Sequence, residues 1–326
     1  VSKRIVTNRE MDPHFAESAL LRLDLNVIDA LVALLDERNL TNAAAAIGTS
    51  QPAMSATLTK LRQYFGDELL VRIGRDFRPT SFARQLLPAA RAASVLIRGV
   101  LRLDAAFDPL TDDRVFRVAA SDYAVAVLHG PLTGLLRARR CTVTVEFVDM
   151  FAGLTEGTEA LLNCDAVVSP LGMGVYGNHI LLYRDRIVGF VDRDNRFLRD
   201  GTVDAASYPL MPTIGIRFPG SSTTVVDRWI DDRGPDRRPS VEVLGGLGSL
   251  YAVSGSDAVA LVPERVARRA ARTGQFVVIH PPYPLLDMHE ALHWHPVRDL
   301  DPAHAWLRST LVAAAAAVQD EFAPSL

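Results

Sequence analysis

The chain has 326 residues, enough for two or three domains at ~100 to 200 residues each, so its cores need neither metals nor disulfides to hold them. Hydrophobic residues at 48% and charged residues at 22% exclude wholesale disorder, and the only cysteines, Cys141 and Cys164, exclude a disulfide framework or a paired zinc site. The net charge of −3 hides a local excess: from Gly48 to Arg98 eight basic residues face three acidic ones, a net of +5, where a polyanion would bind.

No apolar run approaches the ~20 residues that span a bilayer, so the chain is expected to have no membrane partner and to work in a reducing cytoplasm. Residues 1–20 are basic at first, with no apolar stretch behind them, and read as a loose tail. Within that tail Met11 is as good a candidate start as Val1.

Asp24 is placed to cap a first helix, in which Val27, Ile28, Leu31, Leu34 and Leu35 recur at three- and four-residue spacing up to about Arg38. Thr41 offers a cap for a second helix, and Gly48 ends it. A third begins at Thr49 or Ser50, tolerates Pro52 in its first turn, and carries the stripe Met54, Leu58, Leu61 and Phe65. Its other face is short or polar: Pro52, Ser55, Ala56, Thr59, Lys60 and Gln63, with Gln51 at the N-terminal end. Helix, glycine turn, helix is the helix-turn-helix pattern, whose second helix enters the major groove with its N-terminal residues nearest the bases. A plain helical hairpin with a solvated face has the same pattern.

The next segment favours DNA. Leu69 to Arg72 is a short strand, Ile73 to Phe77 contains a tight turn, and Arg78-Pro79-Thr80 closes the return strand, so the hairpin reads as a wing. Ser50, Gln51, Pro52, Ser55, Ala56, Thr59, Lys60 and Arg62 are the candidate DNA contacts of the helix, and Arg72, Arg75, Arg78 and Thr80 those of the wing. Gln bonds adenine, Ser and Thr bond several bases, and wing arginines reach phosphate or an adjacent minor groove.

These residues resemble the LysR-type transcriptional regulators, and within them the branch containing NodD and NahR. The resemblance is carried by Leu23-Asp24-Leu25-Asn26, Glu37-Arg38-Asn39-Leu40-Thr41, Ala43-Ala44, Ser50 to Ser55, Leu61-Arg62, Phe65-Gly66-Asp67-Glu68-Leu69, Gly74-Arg75 and Arg78-Pro79-Thr80. Leu70 replaces the family's usual Phe and Ser81-Phe82 its usual Pro-Arg. The resemblance implies promoter duplex DNA as partner, a small-molecule inducer of aromatic or flavonoid-like type, a homodimer or dimer-of-dimers, RNA polymerase as a further partner, and no cofactor. It also implies an α/β fold class: a winged helix-turn-helix over 21–81, a linker helix over 82–104, a hinge over 105–113, and a two-lobed effector domain of periplasmic-binding-protein type over 114–326.

In the linker, Leu86, Ala90, Ala93, Ile97 and Val100 alternate four- and three-residue steps, the spacing of a coiled-coil dimer seam. An amphipathic helix packed on its own domain has similar spacing.

Beyond Arg114 strands alternate with helices, the mark of open α/β sheets. Expected strands are 115–120, 141–147, 165–168, 186–191, 213–217, 241–243, 258–262, 276–279 and 290–295, with helices near 154–162, 222–231, 247–253 and 264–272 and a last one that Asp301 caps. Lobe I covers about 114–184 and 286–326, lobe II about 185–285, and the double crossing leaves a cleft. Ser121, Asp122, Ser221 and Ser222 lie at helix N-termini that would favour a carboxylate or phenolate, Arg217 adds charge, and His293 is a cleft-lining candidate. His293 and His295 lack a third ligand at metal spacing, so no metal is expected. Gly245 to Ser249 lacks the lysine of a phosphate loop. An enzyme using Cys141 or Ser121 would need a nucleophile elbow that the sequence does not have. A ligand-independent DNA-binding protein whose second half only oligomerises remains the alternative.

Overall fold

The computed structural model describes residues 26–74, 76–101, 107–150, 161–217, 239–283 and 287–319. The tail, Asp24, Arg75, most of the helix expected near 154–162, and Ser221 and Ser222 with their helix lie outside the described residues. The chain forms two compact units, Val1–Leu101 and Arg102–Leu326.

The described part of the first unit begins with α1 (Asn26–Glu37), α2 (Leu40–Ala46) and α3 (Gln51–Phe65). Leu31, Leu34 and Leu35 of α1 and Met54, Leu58 and Leu61 of α3 form one core, each side chain contributing ~1.5 to 3 kcal/mol by burial. Asn39, not Thr41, caps α2, because its side chain accepts the N–H groups of Thr41 and Asn42 at 2.8 and 3.1 Å. Ser50 caps α3 by accepting the Ala53 N–H at 3.3 Å.

Strands β1 (Leu70–Ile73) and β2 (Asp76–Pro79) pair antiparallel, Ile73 opposite Asp76, with Gly74 at φ 64° in the turn. The stretch before them explains the Phe65-to-Leu69 motif. Gly66 ends α3 at φ 63°, and Asp67 accepts both the Leu69 N–H (2.7 Å) and the Thr80 hydroxyl (2.7 Å). Leu69 adopts φ 56° and is fully buried, so burial offsets a backbone conformation that costs a non-glycine residue ~1 to 2 kcal/mol.

Helix α4 (Ser81–Leu101) follows. Leu86 and Ala90 of the expected seam pack on the core formed with α1. Polar ties reinforce that docking: Arg91 pairs with Asp36, Arg98 with Asp29 at 3.1 Å, and Ser94 donates to Asp29. The seam at Leu86 and Ala90 is therefore turned inward, because four- and three-residue spacing marks an apolar face without saying what covers it. Of the other seam positions Ala93 and Ile97 are half-buried and the side chain of Val100 lies outside what the structure describes; off the seam, Phe82 and Leu96 are exposed.

The second unit contains β3 (Val115–Ala120), α5 (Asp122–Ala138), β4 (Thr144–Asp149), β5 (Ala166–Pro170), β6 (Asn178–Asp192), β7 (Thr213–Arg217), β8 (Val241–Leu244), α6 (Gly246–Ala252), β9 (Val259–Pro263), α7 (Glu264–Ala271), β10 (Phe276–Ile279), β11 (Asp287–Trp294) and α8 (Pro302–Gln319). Its sheet runs β4-β3-β5-β11-β6-β9-β7-β8, with β10 also on β6. Strand β6 is far longer than the expected 186–191. Its first part pairs with β11 and its last part with β9 and β10, so one strand carries the chain from lobe I into lobe II. Strand β11 brings it back against β5 and β6.

Candidate functional site

Helix α3 presents two chemically distinct faces. Met54, Leu58 and Leu61 are buried, whereas Gln51, Pro52, Ser55, Ala56, Thr59, Lys60 and Gln63 are exposed. Arg72 and Arg78 are also exposed on the hairpin. The surface can hydrogen-bond base edges from α3 and contact phosphates from the wing.

Arg62 and Thr80, also expected at this surface, are tied into the fold between α3 and the hairpin. Arg62 donates from Nε to the Glu68 carbonyl (2.8 Å) and from Nη2 to the Leu70 carbonyl (2.8 Å), bracing the strained turn at Leu69. Thr80 accepts the Ala83 N–H at 3.0 Å, capping α4, while its hydroxyl donates to Asp67. Both hold the wing against α3.

In the second unit Ser121 caps α5 through the Ala124 N–H at 3.2 Å. The Asp122 carboxylate reaches across the lobes: it accepts the Gly246 N–H at 3.1 Å and the Leu247 N–H at 2.8 Å. Helix α6 has no capping side chain of its own, so a residue of lobe I caps a helix of lobe II. Gly245 makes the approach possible. It stands at φ 74°, and a Cβ there would lie 2.7 Å from Asp122 Oδ2. The glycine pair that lacks the lysine of a phosphate loop is thus the seat of Asp122. The available signal was two glycines ahead of a helix with no Ser, Thr, Asp or Asn to cap it.

Arg217 is tied to Glu242, with Nε 3.2 Å from the carboxylate, on the exposed β7–β8 edge. His293 is buried in lobe I between Val167 and His179, its ring 5.6 Å from that of His179. Desolvation lowers its pKa and favours the neutral ring. Among the described residues no three His, Cys, Asp or Glu side chains gather as a metal site, and no helix is long and apolar enough to cross a membrane.

Residues 25–84 match the model of the bacterial regulatory helix-turn-helix protein, lysR family, and residues 110–316 match the LysR substrate binding domain. The chain belongs to the lysR family. It is 35% identical over 90% of its length to nodulation protein D 3 of Rhizobium leguminosarum bv. phaseoli, covering 97% of that protein. With nodulation protein D 2 of Rhizobium tropici it shares 32% identity, covering 93% of this chain and 96% of the relative. Among solved structures it resembles a probable transcriptional regulator of Pseudomonas aeruginosa, at TM-score 0.62 and 28% identity over 90% of this chain and 98% of that one. Full-length OxyR of the same organism has the same fold, at TM-score 0.73 and 15% identity, covering 94% of this chain and 99% of that one. This lysR-family member is a DNA-binding transcriptional regulator with a small-molecule-binding domain, and the family's members are regulators, not enzymes.

Proposed function

We propose that this regulator reads promoter duplex DNA through Ser50, Gln51, Pro52, Ser55, Ala56, Thr59 and Lys60 of the α3 face, and holds phosphate through Arg72, Arg75 and Arg78. The observation that supports this most directly is the exposed short-polar face of α3, laid over a buried apolar one and followed by an arginine-bearing hairpin. Two copies pair through the outer face of α4, where Phe82, Gln85, Ala89, Ala92 and Leu96 also follow three- and four-residue steps. RNA polymerase is its partner at the promoter, and the cytoplasm its compartment.

The effector is a small aromatic or phenolic molecule, a reading supported by likeness to the nodulation D proteins. It binds near Ser121, where the Asp122 contact joins the lobes, with Ser221 and Ser222 as further candidate contacts. An effector shifts the lobes only by binding one arrangement more tightly than another, and a carboxylate seated across the two lobes gives it a contact to strengthen or release.

The test is fluorescence anisotropy of the full chain with DNA from upstream of its own gene, with and without aromatic acids and flavonoids. Saturable, sequence-selective binding that one compound alters is the expected result. Selective binding that no compound alters would point to a ligand-independent regulator, and salt-sensitive binding without sequence preference would overturn the promoter-reading assignment.

A further inference from the structure

A buried polar cluster occupies the crossing between the lobes, and the regulatory reading does not use it. Glu290 of β11 stands opposite Tyr183 of β6, beside the register shift between Glu290 and Ala291. It is 1% exposed, and its Oε2 has no hydrogen-bond partner among the described residues.

The groups around it come from both lobes. Strand β6 contributes Tyr183 and Asp185, and α5 contributes Tyr123, whose hydroxyl donates to Asp185 at 2.6 Å. Helix α7 contributes Arg265, whose guanidinium donates to the carbonyls of Val318 (2.5 Å) and Arg184 (3.1 Å) and stands 3.8 Å from Asp185. Strand β5 sets Pro170 opposite Glu290, and α8 adds Leu307, Leu311 and Ala314 to the same core. On its own strand the other ionisable residues are Asp287, His289 and His293. Among the described residues no cation pairs with Glu290.

An ionised carboxylate in such a place lacks both solvent and counter-charge. Burial first, and the Asp185 carboxylate second, push the Glu290 carboxyl up to about 8. Tyr123 and Tyr183 are both held well above the usual tyrosine range, chiefly by burial, and keep their protons in the same interval.

We propose that Glu290 is a proton-carrying lock on the crossing between the lobes: protonated, it packs between Pro170 of β5 and Tyr183 of β6, and deprotonated, it repels Asp185 and loosens that packing. The sign follows from linkage. A carboxyl whose folded pKa exceeds its unfolded value contributes stability that is complete below the unfolded pKa and lost as pH rises to the folded one. Across the upper part of that window, above about pH 6.5, the folded-to-unfolded ratio falls by up to about tenfold per pH unit.

The experiment compares thermal unfolding of the full chain with that of E290Q from about pH 6.5 to 9, and uses infrared difference spectroscopy to detect a protonated carboxyl. The expected result is a wild-type melting temperature that falls up to about pH 8 and then levels, against a flatter E290Q profile. The protonated-carboxyl band should be present in the wild type at neutral pH and missing from the variant. Parallel profiles would overturn the proposal. If E290Q fails to fold, the wild-type spectrum decides, and a wild type with no protonated carboxyl at neutral pH overturns it equally.

Discussion

Asp122 caps a helix 124 residues further along the chain: its Oδ2 accepts the Leu247 N–H at 2.8 Å, and its Oδ1 the Gly246 N–H at 3.1 Å. The contact joins the start of α5 in lobe I to the start of α6 in lobe II. Replacing Asp122 by Ala removes charge-assisted hydrogen bonds worth ~1.5 to 3 kcal/mol, and calorimetry should show the second unit melting earlier. Gly245→Ala should cost more than that, since its Cβ would displace the carboxylate and also strain the backbone. In an Asp122→Ala background only the strain of a backbone at φ 74° and ψ 159° remains, ~1 to 3 kcal/mol, so the two substitutions should be less than additive.

The exposed and occupied residues of the first unit should separate in DNA binding. Gln51→Ala is expected to relax preference at one base position by ~1 to 3 kcal/mol, while Arg78→Ala weakens binding to every duplex and lowers the salt slope by ~1. Arg62→Ala should behave differently from both. Its guanidinium holds the Glu68 and Leu70 carbonyls, so the melting temperature and the affinity fall together. Titrations at several salt concentrations, paired with melting curves, distinguish the three.

Helix α4 gives a test of which face pairs two copies. Leu96 is 53% exposed, whereas Leu86 packs on the core with α1. Leu96→Glu should shift the chain toward monomer in sedimentation and leave the melting of the first unit nearly unchanged. Leu86→Ala should lower the stability of the first unit by ~1 to 3 kcal/mol without altering the oligomer. The opposite pattern would restore Leu86, Ala90, Ala93, Ile97 and Val100 as the pairing face.

His304 predicts an acid limit to stability. Its Nε2 donates to the Asp165 carbonyl at 2.8 Å and its Nδ1 accepts from Arg308 at 2.7 Å, which defines a neutral ring. Burial is the largest cause pushing its pKa down to about 4. A lowered histidine contributes stability that is present above its unfolded value, near 6.5, and lost as pH falls toward 4, up to about 3 kcal/mol in all. His304→Gln should flatten the melting profile of the second unit in that acid range.

The sequence by itself determined the parts whose signals are local. The apolar stripe of Met54, Leu58 and Leu61, the Ser50 cap and the arginine hairpin were legible because helix periodicity and turn chemistry are read within a few residues. The motifs from Glu37 to Thr80 also pointed to the family. Strands β3, β7 and β10 fell at their expected residues for the same reason. The sequence did not disclose the full length of β6, the inward turn of Leu86 and Ala90, the structural use of Arg62 and Thr80, or the meeting of Asp122 with Gly246. Each depends on which surface folds against which. An apolar stripe, an arginine or a carboxylate looks the same in sequence whether its partner is a nucleic acid, a second copy or a backbone N–H more than a hundred residues away. Only the tertiary structure decided these, because burial and hydrogen bonding depend on distance in space rather than separation along the chain.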